Sequence, residues 1–183
     1  LVYPLHKYIL TSQVLTLESS TIRPIHEHKP TTRCASTATM YIAVGSDAQT
    51  VLTDAICAEL QRRGHQVKLH GALTGCRDKS WPNIGMEMGN DVASGKCDEG
   101  IMCCFTGTGA SIATNKVPGV RAALCVDAQT AAGARQYNHA NMLCLSLRLT
   151  SPEVVREILD AWFSTPFGSG EDAACVTRIN EMD

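Results

Sequence analysis

From Met40 onward the chain alternates two hydrophobic periods. Short apolar runs of strand length stand at 40–44, 66–69, 99–104, 122–125 and 142–145. Between them lie stretches whose apolar residues recur every three or four positions, the spacing of one helix face. In 50–63 that face is Val51, Leu52, Ala55, Ile56 and Leu60, ended by Gly64. In 84–94 it is Met86, Met88, Val92 and Ala93. Further helices are predicted over 109–115, 128–137 and 151–163. The last opens with Ser151 as N-cap, Pro152 at the first helical position and Glu153 behind it. Strand–helix alternation of this kind predicts an α/β fold: a three-layer Rossmann-like sandwich with a five-stranded, mostly parallel sheet and helices on both faces.

Residues 1–39 break the pattern. Positions 19–39 are rich in Ser, Thr, Pro and His and weakly periodic. They read as an N-terminal arm before a domain over 40–183, without the long apolar core of a signal peptide. Composition then narrows the function. The 183 residues are 44% apolar and 19% charged, enough for a packed core. Sixteen basic against 18 acidic residues give a net charge of −2, which argues against a nucleic-acid partner. The apolar runs are too short to cross a bilayer. Nine scattered cysteines lack the density of a secreted disulfide scaffold and predict a reduced, cytoplasmic setting.

The candidate chemistry lies in 103–122, where a strand ends on Cys103-Cys104, a glycine-rich turn Phe105-Thr106-Gly107-Thr108-Gly109 follows, and a helix begins. Ligands of open α/β sheets sit at the carboxyl ends of strands, where backbone N–H groups favour an anion. Cys104 is there a base or nucleophile, or else a buried inert thiol. Cys103, facing the opposite way, reads as core. Cys57, Cys76, Cys97, Cys125, Cys144 and Cys175 read as structural, with no zinc spacing. His65 and His70 read as surface residues, and His26 and His28 as part of a solvated arm. A nucleotide loop is a rival reading, weakened by Ile112 where a third glycine belongs and by the lack of an acid after the second strand.

The turn, together with Ser111-Ile112-Ala113 and the run Asn115-Lys116-Val117-Pro118-Gly119-Val120-Arg121-Ala122, resembles the signature of the ribose-5-phosphate isomerase B family, which includes the galactose-6-phosphate isomerase subunits. Gly45-Ser46-Asp47, Arg135-Gln136-Tyr137-Asn138, Arg148, Thr165-Pro166-Phe167 and Arg178-Ile179 extend the resemblance over about 40–179. It implies a metal-independent, cofactor-free aldose–ketose isomerase of a small, phosphorylated sugar, working through an enediolate. Cys104 matches the family's base. Thr106 and the amides of Gly107, Thr108 and Gly109 match the groups around the oxyanion. Asp47 and Asn138 match positions that bind sugar hydroxyls, Arg148 and Arg178 those that hold phosphate, and Tyr137 the ring-opening position. The resemblance also implies a homodimer or homotetramer with the site shared between subunits.

The departures from the family pattern matter as much. Its histidine after the aspartate is Ala48, its ring-opening histidine is Tyr137, its first C-terminal basic pair falls at Ala174-Cys175, and Phe105 replaces a glycine. A phenol moves protons near neutral pH far less readily than an imidazole. His139, two places on, is a candidate substitute. Two readings follow: an isomerase whose sugar is too short to cyclise, such as a four-carbon sugar phosphate, or a non-catalytic sugar-phosphate-binding protein derived from the family.

Overall fold

The computed structural model describes residues 39–75 and 80–183, so the predicted arm, apart from Thr39, and Cys76 lie outside the described residues. The elements run β1 (Tyr41–Ser46), α1 (Val51–Arg62), β2 (Gln66–Gly71), a 3-10 turn (Ala72–Thr74), α2 (Trp81–Ala93), β3 (Glu99–Cys104), α3 (Thr108–Thr114), β4 (Ala122–Leu124), α4 (Ala128–Asn138), β5 (Met142–Ser146), α5 (Pro152–Ser164) and α6 (Glu171–Asn180). Every predicted strand and helix forms, within three residues at each end.

The described strands make one five-stranded sheet in the order β2-β1-β3-β5-β4, and every pairing is parallel. Parallel strands need crossover helices, and those helices cover both faces. One layer packs α1, α4 and α5 on Ile42, Val44, Ile101, Cys103, Leu143 and Leu145. The other packs α2 and α3 on Ala43, Met102, Cys104, Met142 and Cys144. Alternate residues of each strand therefore serve opposite layers, and β3 is buried along its whole length.

Local chemistry sets the ends. Thr50 caps α1 in a reciprocal box with Thr53, Asp127 caps α4, and Ser151 caps α5. The sequence reading lacked α6. Its signals are present: Gly170 before it, Glu171 and Asp172 in its first turn, Arg178 in its last. Its apolar content is too sparse to register as periodic, because it packs on α4 and not on the sheet.

His70 is a correction. It is 7% exposed, with Nε2 3.0 Å from Asp91 Oδ2, and the same carboxylate takes Lys68 Nζ at 2.6 Å. His65 is half-buried, accepts from the Met40 amide at 3.3 Å and packs on Phe163. β2 is an edge strand, but α2 covers one of its faces, which a strand-by-strand reading does not register.

Glu59 orients Arg63, which ties the end of α1 to α5. Its carboxylate takes Arg62 at 2.9 and 2.6 Å and Arg63 at 2.8 Å, and Arg63 reaches Asp160 at 2.6 Å. The Arg62 hydrogen bond, then Arg63, hold the Glu59 carboxyl at about 2 against an ordinary 4.5, with burial opposing. A depressed carboxylate stabilises the fold above its unfolded value and loses that contribution as pH falls through the folded one. Folding free energy should therefore decline between pH 4.5 and about 2. Glu59→Gln should flatten this decline at a cost near neutrality of about 1 kcal/mol, since water screens the exposed Arg62. Urea midpoints of both proteins across that pH range check it; parallel declines would remove Glu59 from the account.

Candidate active site

β3 ends on Cys104, and the turn after it is tied to the end of β5. The Cys104 carbonyl accepts from the amides of Leu147 (3.0 Å) and Gly107 (3.2 Å). The Phe105 carbonyl accepts from the Arg148 amide (3.1 Å) and from Ser146 Oγ (3.0 Å). Gly107 closes the turn at φ 76°. A side chain there would be strained by that φ, and its Cβ would meet Leu124 at 2.5 Å and the Leu145 backbone at 3.0 Å. Gly109 is needed for closeness: the Trp81 indole lies against it, so that a Cβ would stand 3.1 Å from the ring.

Cys104 lies in the α2/α3 layer and is 5% exposed, while Thr106 and Thr108 on the turn above it are exposed. Burial pushes the neighbouring thiols of Cys103, Cys125 and Cys144 up, the last two to about 12, so they stay protonated core groups. Asp47 follows β1, one residue past the registered pair Ser46–Cys103, and so stands beside the end of β3. Burial raises its carboxyl, and its own backbone amide draws it partly back. Arg148 is exposed just past β5. The carboxyl edge thus gathers Asp47, Cys104, Thr106, Gly107, Thr108, Gly109 and Arg148. It coincides with a change of winding direction, since the chain leaves β1 toward β2 and β3 toward β5 and β4.

Tyr137, Asn138 and Arg178 are elsewhere. α4 runs back down the sheet and ends at Asn138, capped by His139 in the left-handed conformation. β5 starts three residues after His139, at Met142 opposite Gly100 near the start of β3. From Met142 to Ser146, the residue opposite Cys104, is four strand steps, about 13 Å. α6 ends on the same amino edge. Arg121, just before β4, donates to the His139 carbonyl (3.0 Å) and to Asn180 Oδ1 (3.0 Å), and the Gly119 amide donates to Asp183 (2.6 Å). Exposed Tyr137, Asn138 and Arg178 therefore share one edge, and Cys104 opens on the other. Within one chain the predicted set is divided into two groups.

A buried network builds the amino edge. Arg135 Nη2 pairs with Glu99 Oε1 at 2.8 Å, and its Nη1 donates to the Ala140 carbonyl at 2.6 Å. Trp162 Nε1 donates to Glu99 Oε2 at 2.6 Å. The Arg135 guanidinium lies over Trp162 (4.9 Å) and Phe167 (4.4 Å). His139 stacks on Phe167 at 4.7 Å and reaches the Gly168 carbonyl at 3.0 Å. Its ring is thus engaged in holding the 165–170 strap, which removes it as a free substitute for the missing imidazole. Sequence reasoning missed this network; the buried charge of Glu99 in an otherwise apolar run was the available signal. Among the described residues no three His, Cys, Asp or Glu side chains converge as metal ligands, and no helix is long and apolar enough to cross a membrane.

The all-parallel 2-1-3-5-4 sheet, covered by helices on both faces, defines a Rossmann-like α/β protein. The Ribose/Galactose Isomerase family model matches residues 42–179, and the chain belongs to that family. Its relatives carry particular substrates in their names. D-erythrulose-4-phosphate isomerase of Pectobacterium atrosepticum is 34% identical over 139 residues, spanning 75% of this chain and 91% of that protein. Ribose-5-phosphate isomerase B of Escherichia coli is 34% identical over 143 residues, spanning 78% and 95%. The solved ribose-5-phosphate isomerase B of Clostridium thermocellum superposes with a TM-score of 0.71 at 36% identity, covering 78% of this chain and 97% of its own.

Proposed function

We propose that the protein interconverts a four-carbon aldose phosphate and its ketose through an enediolate, with Cys104 as the base. The observation that carries this reading is Cys104 at the carboxyl end of β3, followed by a turn that exposes Thr106 and Thr108 and opens α3 at Thr108 and Gly109. In the aldose-to-ketose direction the Cys104 thiolate takes the C2 proton and negative charge moves onto the carbonyl oxygen. Thr106 and the amides of Thr108 and Gly109 hold that oxygen, while the Gly107 amide is already taken by the Cys104 carbonyl; preorganised donors of this kind each contribute roughly 3–4 kcal/mol to the transition state. The hydroxyl proton passes between O2 and O1, and the thiol returns its proton to C1. Asp47 orients a sugar hydroxyl, and Arg148 pairs with phosphate.

Sugar length follows from Tyr137. A four-carbon sugar phosphorylated at C4 has no free hydroxyl that closes a five- or six-membered ring on its carbonyl. It needs no ring-opening acid, which suits a phenol where the family pattern has an imidazole. The name of the Pectobacterium relative supports the same sugar class. The division of the site supports a homodimer in which Tyr137, Asn138 and Arg178 of one copy face Cys104 of the other. Tyr137 then acts as a hydrogen-bond donor to bound substrate.

Proton NMR in heavy water tests this with erythrose 4-phosphate, ribose 5-phosphate, allose 6-phosphate, galactose 6-phosphate and free ribose. The C2 proton of the tetrose phosphate should exchange fastest. A clear preference for ribose 5-phosphate would overturn the sugar length. Tight binding without exchange of any sugar would favour the non-catalytic reading, to which Ala48, Tyr137 and the uncharged, exposed Ala174-Cys175 also point.

A further inference from the structure

We propose that Phe105, the residue that follows the proposed base, limits the length of sugar that this site accepts. The inference rests on the isomerase reading above and names the residue that selects within it.

Phe105 lies between the proposed base and Thr106, and it is 65% exposed although it adjoins a fully buried strand. Its backbone is anchored. Its carbonyl is held by Ser146 Oγ and by the Arg148 amide, and the carbonyl before it by the Leu147 and Gly107 amides. The same Ser146 hydroxyl accepts from the Leu149 amide at 3.2 Å. One buried hydroxyl thus fixes two exposed apolar residues, Phe105 and Leu149 (66% exposed), on either side of Arg148. Two exposed apolar side chains thus stand in the turns that follow Cys104 and Ser146, and Leu149 adjoins a cation suited to phosphate.

On the other side, β1 and β3 are in register up to Ser46–Cys103. The next two residues of the adjacent strand ends are Asp47-Ala48 and Cys104-Phe105, in strands about 4.8 Å apart. The Ala48 amide is pinned by Ser46 Oγ at 3.2 Å. The end of β1 thus carries a methyl group two residues beyond the sheet, and the end of β3 a benzyl group one residue beyond it. A sugar one carbon longer carries one more hydroxyl between the reacting carbons and the phosphate. Beside Phe105 that added hydroxymethylene meets the ring and finds no hydrogen-bond partner on it, and an apolar surface discriminates against such an addition by about 10–10²-fold. A four-carbon chain brings one hydroxyl fewer.

The test is the ratio of kcat/KM for ribose 5-phosphate to that for erythrose 4-phosphate in the full-length protein, Phe105→Ala and Phe105→Leu. Removing the ring should raise the ratio about tenfold or more, with Leu intermediate. Phe105 is exposed, so both variants should keep the wild-type melting temperature. A ratio equal to wild type in Phe105→Ala, with tetrose turnover still dependent on Cys104, would overturn the role of Phe105 and leave the isomerase reading standing. Absence of Cys104-dependent turnover in the wild-type protein would remove both.

Discussion

Cys104→Ala should lower proton exchange on the sugar by about 10²–10⁴-fold, the range that a positioned general base contributes. The substitution deletes one sulfur from a residue 5% exposed and leaves the turn intact, because the turn is held by the Cys104 carbonyl and not by its thiol. Binding of a sugar phosphate should persist. The same variant also reports on the division of the site. Arg178→Ala removes a group on the opposite edge and should depress activity through phosphate binding. Mixed after unfolding and refolding together in equal amounts, the two inactive proteins should regain about one quarter of wild-type activity, since half of a random set of two-fold dimers are mixed and each has one intact site. Exchange rates of each variant alone and of the mixture check this. No recovery on mixing, with mixed dimers demonstrated by mass, would place both halves of the site in one chain or leave the edges unconnected.

Arg135→Ala should lower stability by about 3–5 kcal/mol, because it leaves the Glu99 carboxylate buried without its cation. For a chain of this size that is a fall in melting temperature of about 10 °C or more. The two side chains are 12% and 8% exposed, and their 2.8 Å contact is reinforced by Trp162. Burial pushes the Glu99 carboxyl up and the Arg135 guanidinium down; the charge of Arg135 and the Trp162 N–H draw Glu99 part of the way back. Without Arg135 the carboxyl rises further. A carboxyl raised in the folded state stabilises it below the unfolded value and loses that contribution as pH climbs through the folded one. The deficit of Arg135→Ala should therefore be largest near pH 7 and shrink toward pH 4.5. Arg135→Met with Glu99→Gln should recover most of it, since Gln keeps an acceptor for Trp162 and carries no charge. Thermal melts of the wild-type protein and the two variants at the two pH values check this. A deficit independent of pH would mean that lost packing over Phe167 and Trp162, and not the stranded charge, sets the cost.

The two predictions are linked through the strap. Arg135 lies over Phe167, Phe167 stacks on His139, and the Gly168 amide donates to the Gln136 carbonyl at 2.8 Å. The segment that leads into α6 and Arg178 is thus anchored on the last turn of α4, beside Tyr137 and Asn138. A side chain that reads in sequence as part of a catalytic motif serves first to hold that edge together.

The layer order, the strands and their polarity follow from local pattern alone. Buried parallel strands must be continuously apolar, and crossover helices must be amphipathic, so both write their period into the chain. Caps such as Thr50, Asp127 and Ser151 are equally local. The glycine-rich turn after Cys104 is legible because a positive φ and a close aromatic neighbour demand glycine at 107 and 109. What sequence spacing does not contain is which edge of the sheet a residue reaches. Tyr137 and Cys104 stand in neighbouring motifs, yet α4 runs antiparallel to the strands and delivers its last turn about 13 Å from the carboxyl edge. The burial of His70, the Glu99–Arg135–Trp162 network and the packing of α6 on α4 likewise join residues 20 to more than 60 positions apart. Those contacts, and with them the separation of the site into two halves, arise only when the sheet order brings the elements together.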